Sequence, residues 1–279
     1  MYWSDLKYGF MSLRNRLFFF LALWALVGCP LVLRAEELPD IIQQAAHNQD
    51  QSMAVRDRTR YRQQLITERF ALRPNQKPPT IEGEMSSLKK LGERTTVVTA
   101  EPSLTPDPHE RYEVLVRIIS DTDDQGQPKP NVDPKSQPGL LVEILWDEIF
   151  FPLQEEKLPF LKFDPVDSED STVARYHFEP IAQPKTIILA SGTVSIDRET
   201  GRVKDIHIDS LYNLRSIHKQ LAKLDSISAD IKFASFRDMW SLPSSATGYG
   251  ISHLPHLEGF FRFKFQESGY EPVMKIPEP

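Results

Sequence analysis

Apolar and polar residues alternate most cleanly near the C-terminus, where Phe261, Phe263 and Phe265 are separated by Arg262, Lys264 and Gln266. A period of two puts the three rings on one face of a strand and the polar residues on the other. The same pattern recurs upstream. Ile227, Ala229, Ile231 and Phe233 alternate with Ser228, Asp230 and Lys232, and predict a strand over 226–236. Ile206 and Ile208 share a face of a strand over 202–209, with Val203, Asp205 and His207 opposite. Strands are further predicted over 173–178, with Tyr176 and Phe178 on one face, and over 186–196, where Gly192 marks a bulge or bend. Asp197-Arg198-Glu199-Thr200-Gly201 joins two of these strands as a hairpin turn, with Gly201 free to take positive φ.

The N-terminal half is less regular. Pro39 followed by Ile41, Ile42, Ala45 and Ala46 predicts a helix whose thin apolar stripe must lie on something. Residues 56–70 suit a long first strand, in which Arg56, Arg58, Arg60 and Arg62 would decorate one wet face. The stretch 81–100 ends in a β-rich TTVVTA, with a turn or bulge expected in 86–94. In ERYEVLVRIIS, Tyr112, Val114, Val116 and Ile118 fit one strand face, although Leu115 and Ile119 also fit a helical stripe. Residues 121–138 are Gly/Pro-rich and acidic and read as a long loop. LLVEILWDEIFF, residues 140–151, is an amphipathic helix, and 158–163 is a short apolar patch. Residues 211–224 fit a helix or a connection, and 244–252, with Tyr249 between Gly248 and Gly250, reads as a surface loop or lid. The prolines cluster at 74–79, 102–108 and 128–138, where they mark connections rather than elements. The expected fold is therefore mainly β with α (α+β): an antiparallel sheet with one apolar face and one or two helices to cover it.

The start of the chain adds an address. Lys7, Arg14 and Arg16 precede the apolar run Leu17–Cys29, and 17 uncharged residues separate Arg16 from Arg34. This is an export signal pattern, slightly short of the ~20 residues that span a bilayer. Three fates are open: cleavage after Ala35, acylation of Cys29, and retention as an anchor. Leu26-Val27-Gly28-Cys29 resembles the lipobox of bacterial lipoproteins. Met11 offers a second start, with the more ordinary opening MSLRNR. The expected organisation is an export signal or anchor over 1–35 and one domain over 36–279, in the periplasm or cell envelope.

Cys29 is the only cysteine, so the exported part has neither disulfide nor thiol chemistry. Residues 1–35 hold four basic and one acidic residue of the 33 and 39 in the chain, which leaves 29 against 38, a net charge of −9. An acidic domain without a basic stripe argues against nucleic acid as a partner.

Three segments carry a family resemblance. Arg175-Tyr176-His177-Phe178, then Gly192-Thr193-Val194-Ser195-Ile196-Asp197-Arg198-Glu199-Thr200-Gly201-Arg202-Val203, then Met239-Trp240-Ser241-Leu242-Pro243 resemble the outer-membrane lipoprotein-sorting superfamily. The resemblance implies a strongly curved antiparallel sheet, an incomplete half barrel, with helices covering its open side. It further implies a concave apolar face that holds acyl chains. Tyr176, Ile206, Ile208, Ile231, Phe233, Phe261, Phe263 and Phe265 are the candidate ligand-binding residues on that face. The competing expectation is that they form a filled core, and that the protein is an envelope scaffold for protein partners. Membrane association would come through Cys29 or the N-terminal segment.

Catalytic signals are weak. There is no Gly-x-Ser-x-Gly elbow, phosphate loop or Rossmann fingerprint, and no cofactor is expected. Of the histidines (47, 109, 177, 207, 218, 253 and 256), only His253 and His256 lie close together, near Glu258, and no metal site is expected from them. Asp147 with Glu148, Asp167 with Glu169 and Asp170, and Asp205 with Asp209 are the acid pairs available to a hydrolase, but composition alone accounts for them.

Overall fold

A computed structural model of the protein describes residues 38–72, 88–102, 112–129, 139–214, 223–254 and 257–276. The export segment with Cys29 and Ala35, most of the first two proline clusters, residues 130–138, His109, His218 and His256 lie outside the described residues.

Helix α1 (Asp40–Arg56) starts after Pro39, and Asp40 lies in its first turn, where a carboxylate suits the helix dipole. It buries Ile42, Ala45, Ala46 and Val55, and packs chiefly on β9. The strands are β1 (Thr59–Phe70), β2 (Lys90–Pro102), β3 (Tyr112–Asp121), β4 (Leu161–Val166), β5 (Val173–Pro180), β6 (Leu189–Asp197), β7 (Val203–Tyr212), β8 (Leu224–Phe236), β9 (Trp240–Ser252) and β10 (Gly259–Pro272). Helix α2 (Gly139–Phe150) and a single 3₁₀ turn (Leu158–Phe160) lie between β3 and β4. All ten strands form one sheet in the order β3-β2-β1-β10-β9-β8-β7-β6-β5-β4, and every pairing is antiparallel. The first and last strands meet: β1 pairs with β10 from Thr59↔Pro272 to Phe70↔Phe260.

This sheet corrects the expected half barrel. Its order is linear, it neither closes nor curls strongly, and β3 and β4 are its two edges. Period-two alternation dictates only that one face be buried. Here α1 and α2 supply the cover, so the sheet has no need to wrap upon itself.

Register places one apolar row after another on the covered face. Phe178, Gly192, Ile208, Ala229, Gly248 and Phe263 stand side by side across β5, β6, β7, β8, β9 and β10. A parallel row holds Val194, Ile206, Ile231, Ala246 and Phe265. In β9 the positions facing this layer are small because carbonyls of β8 and neighbouring rings occupy the space, with a Cβ on Gly248 only 2.1 Å from the Ser228 oxygen and one on Gly250 only 2.4 Å from the Ser226 oxygen. A Cβ on Gly248 would lie 2.6 Å from the Phe263 ring, and one on Gly250 would lie 2.7 Å from the Phe261 ring.

Several expectations change. Residues 240–252 form a long strand, not a loop or lid. Its Pro243 sits at a register shift opposite Phe233, where a missing N–H does no harm. Residues 112–121 form a strand, the first of the two readings of that segment. Residues 122–129 form a tight turn rather than a structureless loop: Thr122 bridges Pro128, and the Asp123 carboxylate accepts from the amides of Gln125 and Gln127. Val203 is buried rather than on the polar face, because a register shift between Ser195 and Ile196 brings it opposite Ile196. Arg56 ends α1 instead of beginning a strand. The expected bulge at Gly192 is present, as is positive φ at Gly201, at 65°.

Candidate functional site

Two regions stand out, one on the covered face and one at the far end of β1 and β10, where Phe70, Phe260 and Ile251 point to the opposite face. In the first, α2 lies on β10. Trp146 stacks on Phe150 at 5.5 Å between ring centres and meets Phe263 at 5.3 Å and Phe265 at 4.8 Å. Phe150 contacts Phe265 at 5.0 Å. Of the eight candidate ligand-binding residues, Ile206, Ile208, Ile231, Phe261, Phe263 and Phe265 are buried in this layer. Tyr176 and Phe233 are half-buried, and Phe233 packs edge-on against Phe151.

A buried ionic cluster closes one end of the layer. The Arg56 side chain has no exposure; its Nε and Nη2 donate to both carboxylate oxygens of Glu267 at 2.8 and 3.1 Å, and its Nη1 donates to Asp147 of α2 at 2.5 Å. Gln63 donates to Glu267 at 3.0 Å, and the guanidinium lies 4.3 Å above the Tyr61 ring. The Tyr270 hydroxyl lies within reach of Glu267 and of the Pro243 carbonyl. Burial, reinforced by the Glu267 charge, pushes the Tyr270 phenol well above its ordinary pKa. Arg56 thus ties α1, α2 and β10 together. Its charge reads in the sequence as a solvated strand residue, and its partners lie 91 and 211 positions away, beyond any spacing rule.

The second region is a cleft at the opposite end of β1 and β10, with a cavity volume of about 550 Å³. Phe70, Ala71, Leu72, Leu91, Gly259, Arg69 and Glu258 line it. Phe70 and Phe260 pack together at 6.0 Å behind it, with Leu72, Leu88, Tyr249 and Ile251 around them. Gly259, at φ 94°, brings the start of β10 close to the Phe70 carbonyl. Beside the cleft, Arg94 donates to Asp121 through Nη2 at 2.5 Å and through Nε at 3.1 Å. Arg69 reaches the same carboxylate at 3.5 Å and the Thr122 carbonyl at 3.3 Å. Sequence patterning gave no sign of this cluster, because the three residues come from three strands that only register unites.

Asp147, Glu148, Asp170 and Asp209 of the acid pairs, and His207 and His253, have structural partners. Asp147 is held by Arg56, and Glu148 by Lys157 at 2.6 Å. Asp170 caps the Thr172 amide, and hydrogen bonds from the Thr172 hydroxyl and amide hold its carboxyl below the usual range. His207 lies between Asp230 at 2.7 Å and Asp209 at 3.1 Å on the wet face, and His253 meets Asp225. Among the described residues no three His, Cys, Asp or Glu side chains are grouped to hold a metal ion. Nor is any helix among them long and apolar enough to cross a membrane.

No family model matches the chain, and no curated protein matches it. Among solved structures, it is weakly similar to a LolA superfamily protein from Nitrosomonas europaea, with 8% identity over 85% of this chain and 94% of that one and a TM-score of 0.33. A putative outer membrane lipoprotein-sorting protein domain from Vibrio parahaemolyticus gives 8% identity over the same shares and a TM-score of 0.32.

Proposed function

We propose that the protein is a non-catalytic component of the cell envelope that holds or relays an amphiphile, a lipid or the acyl chains of a lipoprotein. The observation that carries this reading is the cleft of about 550 Å³ with Phe70, Ala71, Leu72 and Leu91 in its wall, a size that suits an acyl chain. Affinity would come from removing chain surface from water, about 0.8 kcal/mol per methylene. Tyr176, Ile206, Ile208, Ile231, Phe233, Phe261, Phe263 and Phe265 would meet a longer chain only after α2 swings off the sheet. The working unit would be the domain 36–279. The basic and apolar start of the chain supports export, with Cys29 acylation tethering the protein and cleavage after Ala35 releasing it.

Native mass spectrometry of detergent-free protein isolated from the envelope tests the reading. Co-purifying lipid, or uptake of a fluorescent fatty acid, is expected; absence of both overturns it. Intact-mass analysis of the same material tests the tether, since a diacylglyceryl increment on Cys29 is incompatible with a mature N-terminus at Glu36.

A second reading, an envelope scaffold, is favoured by a different observation. The aromatic layer under α2 is filled, while edge strand β3 exposes Leu115 and Ile119 at 71% and 55%. An edge strand with exposed apolar side chains suits strand addition by a protein partner.

A further inference from the structure

We infer that β3 pairs with β3 of a second copy of this chain, antiparallel and centred on Leu115, so that two sheets join edge to edge. This rests on the reading of β3 as an edge that accepts an added strand.

The two edges of the sheet are built differently. β4 is blunted: it has 6 residues, Pro165 removes a donor, and Lys162 pairs with Asp164 at 2.7 Å. β3 has 10 residues and no proline. Its ladder to β2 runs without interruption from Pro102↔Tyr112 to Thr96↔Ile118, and the register shift comes only after Ile118. From Asp121 onward the edge is occupied, since the Lys129 amide donates to the Asp121 carbonyl and Thr122 bridges Pro128. The regular stretch is therefore Tyr112–Ile118, and Leu115 is its midpoint.

Charge complementarity selects the occupant and the register. Leu115, Arg117 and Ile119 are exposed, and Arg117 has no ion pair among the described residues. Hydrogen-bonded and non-hydrogen-bonded positions alternate along an antiparallel ladder, so two identical strands can centre only on a residue, never between two. Centred on Leu115, the two leucines meet. Glu113 of each copy comes opposite Arg117 of the other, Val114 opposite Val116, and Tyr112 opposite Ile118. Every cross-strand pair is then apolar on apolar or unlike in charge. Centring on Val114 or Val116 sets Leu115 against Glu113 or Arg117, and centring on Arg117 brings two like charges together. The two-fold axis stands normal to the sheet, which keeps both helix layers on one side of the joined sheets. The seam is small, about 23 Å long at ~3.3 Å per residue, so the pair should be weak and form at concentrations on the order of 100 μM.

Sedimentation equilibrium of detergent-free protein isolated from the envelope tests this. The wild type should show a reversible dimer. Glu113→Arg and Arg117→Glu each set like charges opposite one another at two places, and each should weaken the dimer about 10-fold or more. Mixing the two variants restores both unlike pairs and should return the dimer. The double variant, Glu113→Arg with Arg117→Glu, should dimerise on its own. A dimer that both single variants leave intact, or single variants that do not recover on mixing, overturns the proposal. Amide hydrogen exchange in dilute monomer separates it from the reading beneath it. Fast exchange at alternate residues of 112–118, with no dimer of the wild type at high concentration, overturns self-pairing and leaves the edge open to another strand. Slow exchange along the whole of 112–118 means that the edge is already covered, and overturns both.

Discussion

Replacing Arg56 by methionine tests whether its buried cluster holds the helices on the sheet. The two side chains are close in volume, but Glu267 and Asp147 are left at 0% and 6% side-chain exposure without their cation. Breaking a buried pair in this way costs about 3–5 kcal/mol, because desolvated charge remains uncompensated. That is a large part of the roughly 5–15 kcal/mol by which domains are stable. Urea unfolding at pH 7 should show the loss as a lower midpoint at unchanged slope. Adding Glu267→Gln and Asp147→Asn to the variant should recover most of the stability. A cost under about 1 kcal/mol at pH 7 would refute the reasoning.

Three further outcomes are expected. Gly248→Ala should cost about 3 kcal/mol in the same assay, since its Cβ would meet the Ser228 carbonyl oxygen at 2.1 Å as well as the Phe263 ring at 2.6 Å, and adding Phe263→Leu, which relieves only the ring contact, should not restore it. Asp197 accepts from the Thr200 amide and hydroxyl, which hold its carboxyl below the usual range; its contribution is present above the unfolded pKa near 4 and is lost as pH falls through the folded one. Asp197→Asn should therefore lower thermal stability at pH 7 and change it little at pH 2. Leu115→Lys with Ile119→Lys on β3 should leave the melting temperature within a few degrees, while light scattering shows less self-association if that edge is sticky.

How much of this was legible in the sequence depends on where the informative side chain sits. β10, β8 and β7 carry their own apolar residues at period two, so their faces could be read directly. β9 could not. Its covered positions include Ala246, Gly248 and Gly250, and the rings that fill the space above the glycines belong to Phe263 and Phe261 on the next strand. The hydrophobic signal for β9 is written in β10, and the Ser/Gly/Pro-rich segment reads as a loop. Curvature failed for another reason: alternation specifies the buried face, not what buries it, and helices do so here. Arg56 reads in the sequence as solvated decoration, whereas long-range register brings it to a buried carboxylate.

The seam between β1 and β10 constrains when the molecule can form. β1 occupies an interior place in the sheet, yet one of its two neighbours is the last strand of the chain. Until residues 259–272 are available, β1 can pair only with β2, and β2 with β3, as a separate three-stranded unit. Joining the two halves requires closing the longest loop in the fold, which makes it a slow, late step. The two pieces therefore stay unjoined until residues 259–272 are available to pair with β1. A circular permutant that links the ends and opens the chain between β3 and α2 should fold faster than the natural order.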